Sequence, residues 1–436
     1  FAQGALWSAA ERLPQLAAIH ADVLPQPPIA APAEFAAQTW TRESALVELV
    51  RSRLSGLGPT HVDNLATSLS VEKSDAEFAL IALQTEGYVM RGRFTPGATS
   101  EEWCERHLLA RIHRYTVGRL RREIEPVEAR DFLRFLFDWQ HVAPGARLAG
   151  PDALSALLAQ LEGFEAAAAA WEAELLPARI ADFEPAALDA LCRSGRAVWL
   201  RLRAANGGAG PVRATPIVVL PRRSLAVWSS LAASPDFSQL SSRAQVVAEH
   251  LQRHGASFFD ELVDATRLLE TELEDALGEL VARGFVNADS FAGLRALLVP
   301  AAKRRKAAAR RGRRAQRFGI EDAGRWALVR YGDGTHDEHG RIDPDTFEHV
   351  ARALLARYGM VCWRLLEREG DWLPPWRELA RVYHRLEARG EIRGGRFVAG
   401  LTGEQFALPE AVGLLRAVRK RPHDGNLIVV PGSDPL

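Results

Sequence analysis

Three pairs of glycines at matched spacing constrain this chain more than any other feature of its sequence. Gly58 and Gly87 are 29 positions apart, Gly255 and Gly284 are 29 apart, and Gly359 and Gly390 are 31 apart. Each pair brackets two segments of helical apolar period: 61–70 and 74–86, 258–265 and 271–283, 362–369 and 374–389. After the second glycine comes a Val, Ile or aromatic run, at 88–94, 285–286 and 391–398. Glycine adopts the left-handed conformation that ends a helix without a Cβ clash, and such a run then begins a strand. Helices followed by a two-stranded wing make the winged-helix pattern. A weaker fourth copy passes through Gly195 into 196–202, and successive wing glycines, from Gly87 on, stand 108, 89 and 106 positions apart. The expected fold is mainly α with small β-hairpins (α+β), a tandem winged-helix array.

Within the last copy, Leu379, Val382, Tyr383 and Leu386 recur at i, i+3, i+4 and i+7, an apolar stripe for that module's own core. Arg377, Arg381, His384 and Arg385 fall on the other faces of what would be the recognition helix, with Arg396 in the wing. These cations fit phosphate contacts, or equally a solvated face laced by Glu378 and Glu387. Four of the 55 basic residues are lysine and 51 are arginine, whose planar five-donor fork suits phosphate. Positions 303–317 hold nine cations and no acid: Lys303, Arg304, Arg305, Lys306, Arg310, Arg311, Arg313, Arg314 and Arg317. Such a tract binds nucleic acid with strong salt dependence, or serves as a solvated tether.

Several function classes are excluded or disfavoured. The basic and acidic totals are equal at 55, so net charge carries no nucleic-acid signal. None of the four lysines follows a glycine, so no P-loop is present. Glycines 207, 208 and 210, like Gly394 and Gly395, read as turns. Cys104, Cys192 and Cys362 are far apart, which fits neither a thiolate zinc site nor a disulfide framework and favours a reducing, cytoplasmic location. His250 and His254 have metal-compatible spacing but lack the glutamate of an HExxH helix, and His336 and His339 read as a solvated loop. No cofactor is expected in this segment. No apolar run approaches a membrane span, no signal peptide is apparent, and the abrupt start at Phe1 reads as a fragment.

Residues 102–114 (EWCERHLLARIHR), 118–124, 132–142 (FLRFLFDWQHV), 393–398 (RGGRFV) and 403–410 (GEQFALPE) resemble the Lhr family, large helicase-related proteins of superfamily II. The match runs over nearly the whole chain and points to the C-terminal region of a long-form Lhr, itself similar to AlkZ/YcaQ-type DNA glycosylases. The resemblance implies an ATP-dependent 3′-to-5′ helicase acting in DNA repair, on single-stranded DNA or RNA:DNA hybrids. ATP and magnesium would belong only to the absent motor. It also implies a homo-oligomer, a tetramer by family, and tandem winged helices followed by a β-barrel. The expected division is a linker from the motor at 1–40, a winged helix at 41–125, and a helical segment with a second winged helix at 126–235. A third winged helix at 236–300, a basic linker at 301–343, a fourth winged helix at 344–421 and the start of the barrel at 422–436 complete it. Pro14, Pro25, Pro27, Pro28 and Pro32 make 14–34 an expected extended connector.

Three functions follow from this reading. The leading one is a platform that binds nucleic acid and assembles oligomers beside the motor, its wings and recognition helices supplying many phosphate contacts. The second is uracil excision, in which aromatics stack a flipped base and a carboxylate stabilises the sugar cation or orients water. Asp434 in the family-like Asp-Pro-Leu motif, then Glu404 beside Gln405, are the candidate carboxylates; Trp363, Trp372 and Trp376 are the candidate aromatics. The third is an array that only docks proteins.

Overall fold

The structure, a computed structural model, describes residues 8–299, 320 and 324–436 apart from 23, 123, 203–211, 233–234, 332–342, 368, 371 and 424. The chain forms two units, Phe1–Glu123 and Ile124–Leu436.

The first unit is one winged helix. Helices α1 (Leu13–Ile19), α2 (Arg42–Leu54), α3 (Val62–Leu69) and α4 (Lys73–Thr85) precede strands β1 (Val89–Gly92) and β2 (Glu102–Glu105), and α5 (Arg106–Arg122) follows. Ala76, Ala79, Leu80 and Leu83 give α4 one buried stripe, which meets Leu46, Leu49 and Val50 of α2. Gly87 at φ 72° turns the chain into the wing. The expectation of a linker over 1–40 is corrected at its start. Leu13–Ile19 is a helix with Ile19 in this core, held by Arg42, which donates to the Ile19 carbonyl at 2.6 Å. A single proline at its first turn is compatible with a helix, so the proline count misled there.

The second unit holds three modules. The first has α6 (Ala129–Trp139), α7 (Ala153–Gln160), β3 (Ala166–Ala167), α8 (Leu176–Arg179), α9 (Pro185–Arg193), β4 (Ala197–Leu200), β5 (Pro216–Pro221) and α10 (Leu225–Leu231). Its sheet, ordered β3-β5-β4, is buried on both faces. Side chains alternate along strands, so Ala197, Trp199, Ile217 and Val219 enter one core while Val198, Leu200, Val218 and Leu220 enter another. The first core is shared with the next module, the second with the last.

That next module comprises α11 (Ser242–His254), α12 (Phe259–Thr266), α13 (Glu270–Arg283), β6 (Val286–Ala288), α14 (Phe291–Leu298) and β7 (Trp326–Leu328). Strand β6 pairs with β7, Asn287 opposite Ala327, and Ser257 bridges Trp326. The expected boundary at residue 300 is therefore corrected: the second wing strand, Trp326–Leu328, lies inside what reads as a basic linker. Strand pairing across 38 positions leaves no local sequence signal. The last module has α15 (Pro344–Tyr358), β8 (Met360–Val361), α16 (Trp363–Leu366), α17 (Trp376–Ala388), β9 (Arg393–Gly395), β10 (Gln405–Ala407) and α18 (Pro409–Lys420), with its sheet ordered β8-β10-β9. Gly195, Gly284 and Gly390, at φ 71°, 87° and 77°, all stand between a helix and a strand, as the spacing predicts.

The barrel expectation is not met: among the described residues there is no closed barrel, and those of 422–436 contain no strand. Leu427 and Val429 are almost fully exposed, and the segment then turns back to bury Asp434. Among the described residues no helix is long and apolar enough to cross a membrane. All three thiols are buried, and burial pushes Cys192 up to about 12 and raises Cys104 and Cys362. Native protein at pH 8 is expected to leave all three unlabelled by a maleimide, with three labelled after unfolding, because the thiolate is the nucleophile; intact-mass measurement reads this directly.

Candidate nucleic-acid interface and candidate carboxylates

Helix α17 points its four stripe residues inward, and all four are buried. Arg377, Arg381 and Arg385, one turn apart, are exposed on the opposite side. Arg381 donates to both Glu378 carboxylate oxygens, at 2.9 and 2.8 Å. Arg377 and Arg385 have no carboxylate partner among the described residues. His384 is taken by Glu404 at 3.1 Å, which puts that candidate carboxylate on the exposed junction of helix and wing.

The adjoining wing carries exposed Arg396 in its loop. Gln405 shapes that loop: its Oε1 accepts from the Phe397 and Val398 amides at 2.8 and 2.9 Å, and its Nε2 donates to the Val398 and Leu401 carbonyls. The first unit repeats the device. Glu102 accepts from the Phe94 and Thr95 amides at 2.8 Å, and Gly92 faces Glu102 as Gly395 faces Gln405. These wing staples escaped the sequence reading, although Gly92/Glu102 and Gly395/Gln405 share one ten-residue spacing.

The helices that precede the other wings do not present comparable rows, which narrows the expectation of phosphate contacts from every wing, although α5, which follows the first wing, carries exposed Arg106, Arg111 and Arg114 and no acid. Helix α4 turns Glu77, Phe78 and Ile81 outward, α9 turns Ala186, Ala187 and Ala190, and α13 carries Glu270, Glu272, Glu274, Asp275 and Glu279. Lys303, Arg304, Arg305, Lys306, Arg310 and Arg311 lie outside the described residues.

Asp434 stands in a different environment from Glu404. Its Oδ1 and Oδ2 accept from Arg179 Nη2 and Nη1 at 2.7 and 2.9 Å, and both side chains are fully enclosed. Gln140 Oε1 also accepts from Arg179 Nη2 at 3.1 Å, and the Leu436 amide donates to Asp434 Oδ1 at 3.1 Å. The two candidate carboxylates thus sit in different settings, Glu404 beside His384 and Asp434 on Arg179. The three candidate tryptophans do not form one stack. Trp363 is exposed, Trp372 meets Trp228 edge-on at 5.3 Å, and Trp376 packs on Tyr383 and Phe406. A polar junction that the sequence left invisible joins the first and last modules of this unit. Glu162 accepts from Trp228 Nε1 at 2.6 Å and meets His349, while buried Arg357 meets Glu369. Burial pushes the Glu162 carboxyl up, but the hydrogen bonds from His349 and Trp228 outweigh it and hold it low. Among the described residues no group of three His, Cys, Asp or Glu side chains is arranged to hold a metal; His250 and His254 stack on one another.

Residues 127–222 and 342–427 match family models described as Large helicase-related protein, winged-helix domain. Both segments are similar to Lhr winged-helix domains. They coincide with the first and last modules of the second unit, which contain the double-sided sheet and α17. The chain is 29% identical over 432 residues to the "Lhr helicase/ probable uracil glycosylase" of Mycolicibacterium smegmatis, covering 94% of this chain and 27% of that protein. It is 27% identical over 384 residues to the "Lhr helicase/uracil glycosylase" of Escherichia coli, covering 79% and 23%. The chain thus spans about a quarter of the length of these Lhr relatives. The Streptomyces sahachiroi DNA glycosylase AlkZ aligns over 67% of this chain and 73% of its own, at 14% identity and a TM-score of 0.36. At that level the likeness bears on neither site nor chemistry. The kinship with the C-terminal region of Lhr, read from the motifs, holds.

Proposed function

We propose that this chain is the nucleic-acid-binding, oligomer-forming part of an Lhr-type ATP-dependent DNA helicase that acts in DNA repair, with single-stranded DNA or an RNA:DNA hybrid as partner. Helix α17 carries the reading: a packed inner stripe and an outer arginine row beside a stapled wing, in a matched Lhr domain. Contacts of this kind go to phosphate and give affinity with little sequence preference. The motor and its ATP lie with other parts of such a protein, and the cytoplasm is its proposed location. Fluorescence anisotropy with a labelled single strand tests the contact. Replacing Arg377, Arg381 and Arg385 together by alanine is expected to weaken binding at least about ten-fold in low salt. The slope of log affinity against log salt should fall by roughly 2, at about 0.7 per lost phosphate contact on single strands. Wild-type affinity that does not change with salt rules the reading out.

Uracil excision is a second reading, favoured by the names that both relatives carry. In it Asp434 is the acting carboxylate and Glu404 the lesser candidate. Uracil release by the chain, lost in Asp434→Asn at a temperature where the variant is still folded, is its expected signature; loss of release only in step with unfolding would assign Asp434 to structure instead.

A further inference from the structure

A second cationic site is built into the second unit, at the end of the β4–β5 sheet where Ala197 pairs with Pro221. Helix α9 ends in Arg193. The Gly195 amide then bonds back to the Cys192 carbonyl and the Arg196 amide to the Leu191 carbonyl, at 2.9 and 3.0 Å. This closure fixes Arg196 at the start of β4. The Arg222 amide, just past β5, donates to the Arg196 carbonyl at 3.0 Å, so the two residues face each other. A Cβ on Gly195 would lie 3.9 Å from Arg222 Nε, which places that guanidinium over the same turn. Arg223 follows in a short 3-10 turn. Arg196, Arg223 and Ser155 line a cleft of about 280 Å³ whose other walls are Leu158, Leu191 and Pro221.

The charge here is uncompensated. Arg193, Arg196, Arg222 and Arg223 are all exposed, and none has a carboxylate partner among the described residues. Several other exposed arginines of the unit are paired, Arg352 with Glu348 and Glu391, Arg389 with Glu348, Arg419 with Glu125 and Arg421 with Asp138. Arg213, Arg267, Arg364 and Arg416 stand singly without a carboxylate partner among the described residues; this site differs in gathering four such arginines at one sheet end. Asp189, on the same helix as Arg193, and Glu172 are both committed to Arg295, at 3.0 and 2.5 Å. A cation at a helix C-terminus complements the helix dipole, which accounts for Arg193 but not for three more on the strand ends. Among the described residues the Arg196 side chain bonds to Ser155, from Nη2 to Oγ at 3.1 Å, which holds its fork at the cleft mouth.

We propose that this cleft binds the phosphodiester backbone of a nucleic-acid strand, as a contact separate from α17. Arginine forks match phosphate oxygens in bidentate fashion, and the apolar walls suit the sugar that a strand brings and inorganic phosphate does not. The inference rests on the reading of the chain as nucleic-acid-binding, and extends it to a second module. It also explains how a module whose recognition helix shows alanines outward, and whose sheet is covered on both faces, takes part in binding.

Charge reversal tests it in the full chain: Arg196→Glu with Arg223→Glu, and Arg193→Glu with Arg222→Glu, each measured with a labelled single strand over a salt series. Each pair lies on the surface; Arg196→Glu with Arg223→Glu is expected to leave the melting temperature unchanged, whereas Arg193→Glu with Arg222→Glu is expected to lower it slightly because Arg193 ends a helix. Each should lower affinity about ten-fold or more in low salt and reduce the salt slope by roughly 1 to 2. The α17 triple variant runs alongside. Affinity within two-fold of wild type for both reversals, while the α17 variant loses binding, overturns this cleft and leaves the parent reading standing. Salt-independent wild-type binding overturns the parent reading itself. Saturable binding of inorganic phosphate that the reversals abolish without altering strand affinity assigns the cleft to a small phosphorylated ligand and overturns the proposal.

Discussion

Asp434→Ala is expected to destabilise the second unit by about 3–5 kcal/mol, the cost of leaving one member of a buried ion pair without the other. Arg179 is rooted in the helical turn of α8 and is fully enclosed, so it cannot follow its partner's loss by moving into water. Its Nε already lacks a hydrogen-bond partner, and the remaining donors would keep only Gln140 Oε1 and the Leu175 carbonyl. Arg179→Ala is expected to cost less, because Asp434 sits on a segment without helix or strand and can swing outward. Urea unfolding of both single variants, and of Arg179→Met with Asp434→Leu, separates the terms. The double variant should recover most of the loss, since an apolar pair of similar volume removes the desolvation penalty with the attraction. Equal costs for the two single variants would contradict the asymmetry.

Gly163→Ala is the second large effect. Gly163 has φ 77°, and an added Cβ would lie 2.2 Å from the Trp228 ring. That ring cannot retreat: its Nε1 is bonded to Glu162 at 2.6 Å, and Trp372 meets it edge-on. Left-handed backbone and overpacking add, for an expected loss of about 3 kcal/mol or more. Lower thermal stability with an altered tryptophan emission would accompany it. Gly390→Ala is the control, with a similar φ of 77° and nothing near its Cβ, and should cost only the backbone part, about 1–2 kcal/mol.

What the sequence disclosed was local. Gly87, Gly195, Gly284 and Gly390 mark helix-to-strand turns because one residue's φ decides such a turn, and the Leu379 to Leu386 stripe faces inward because helical period is a property of neighbours. Pairings across long separations were closed to it. Trp326–Leu328 completes a wing begun at Val286, and Asp434 reaches Arg179 across 255 positions, without composition or period announcing either. Arginine identity was equally silent. Arg381 has an acid and Arg196 has none, and only the spatial neighbourhood distinguishes them. The α17 row was legible because a single helix carries it, whereas the Arg193–Arg223 cleft draws on a helix end and two strand ends.

The sheet formed by Ala197–Leu200 and Pro216–Pro221 is a party wall between two apolar interiors. Inserting one residue into either strand would hand each side the other's furniture, with Trp199 and Val198 trading places. Neighbours that lean on the same wall cannot be refurbished separately. Changes tolerated in one flanking module therefore depend on what the other has already accepted, although no side chain of theirs need touch.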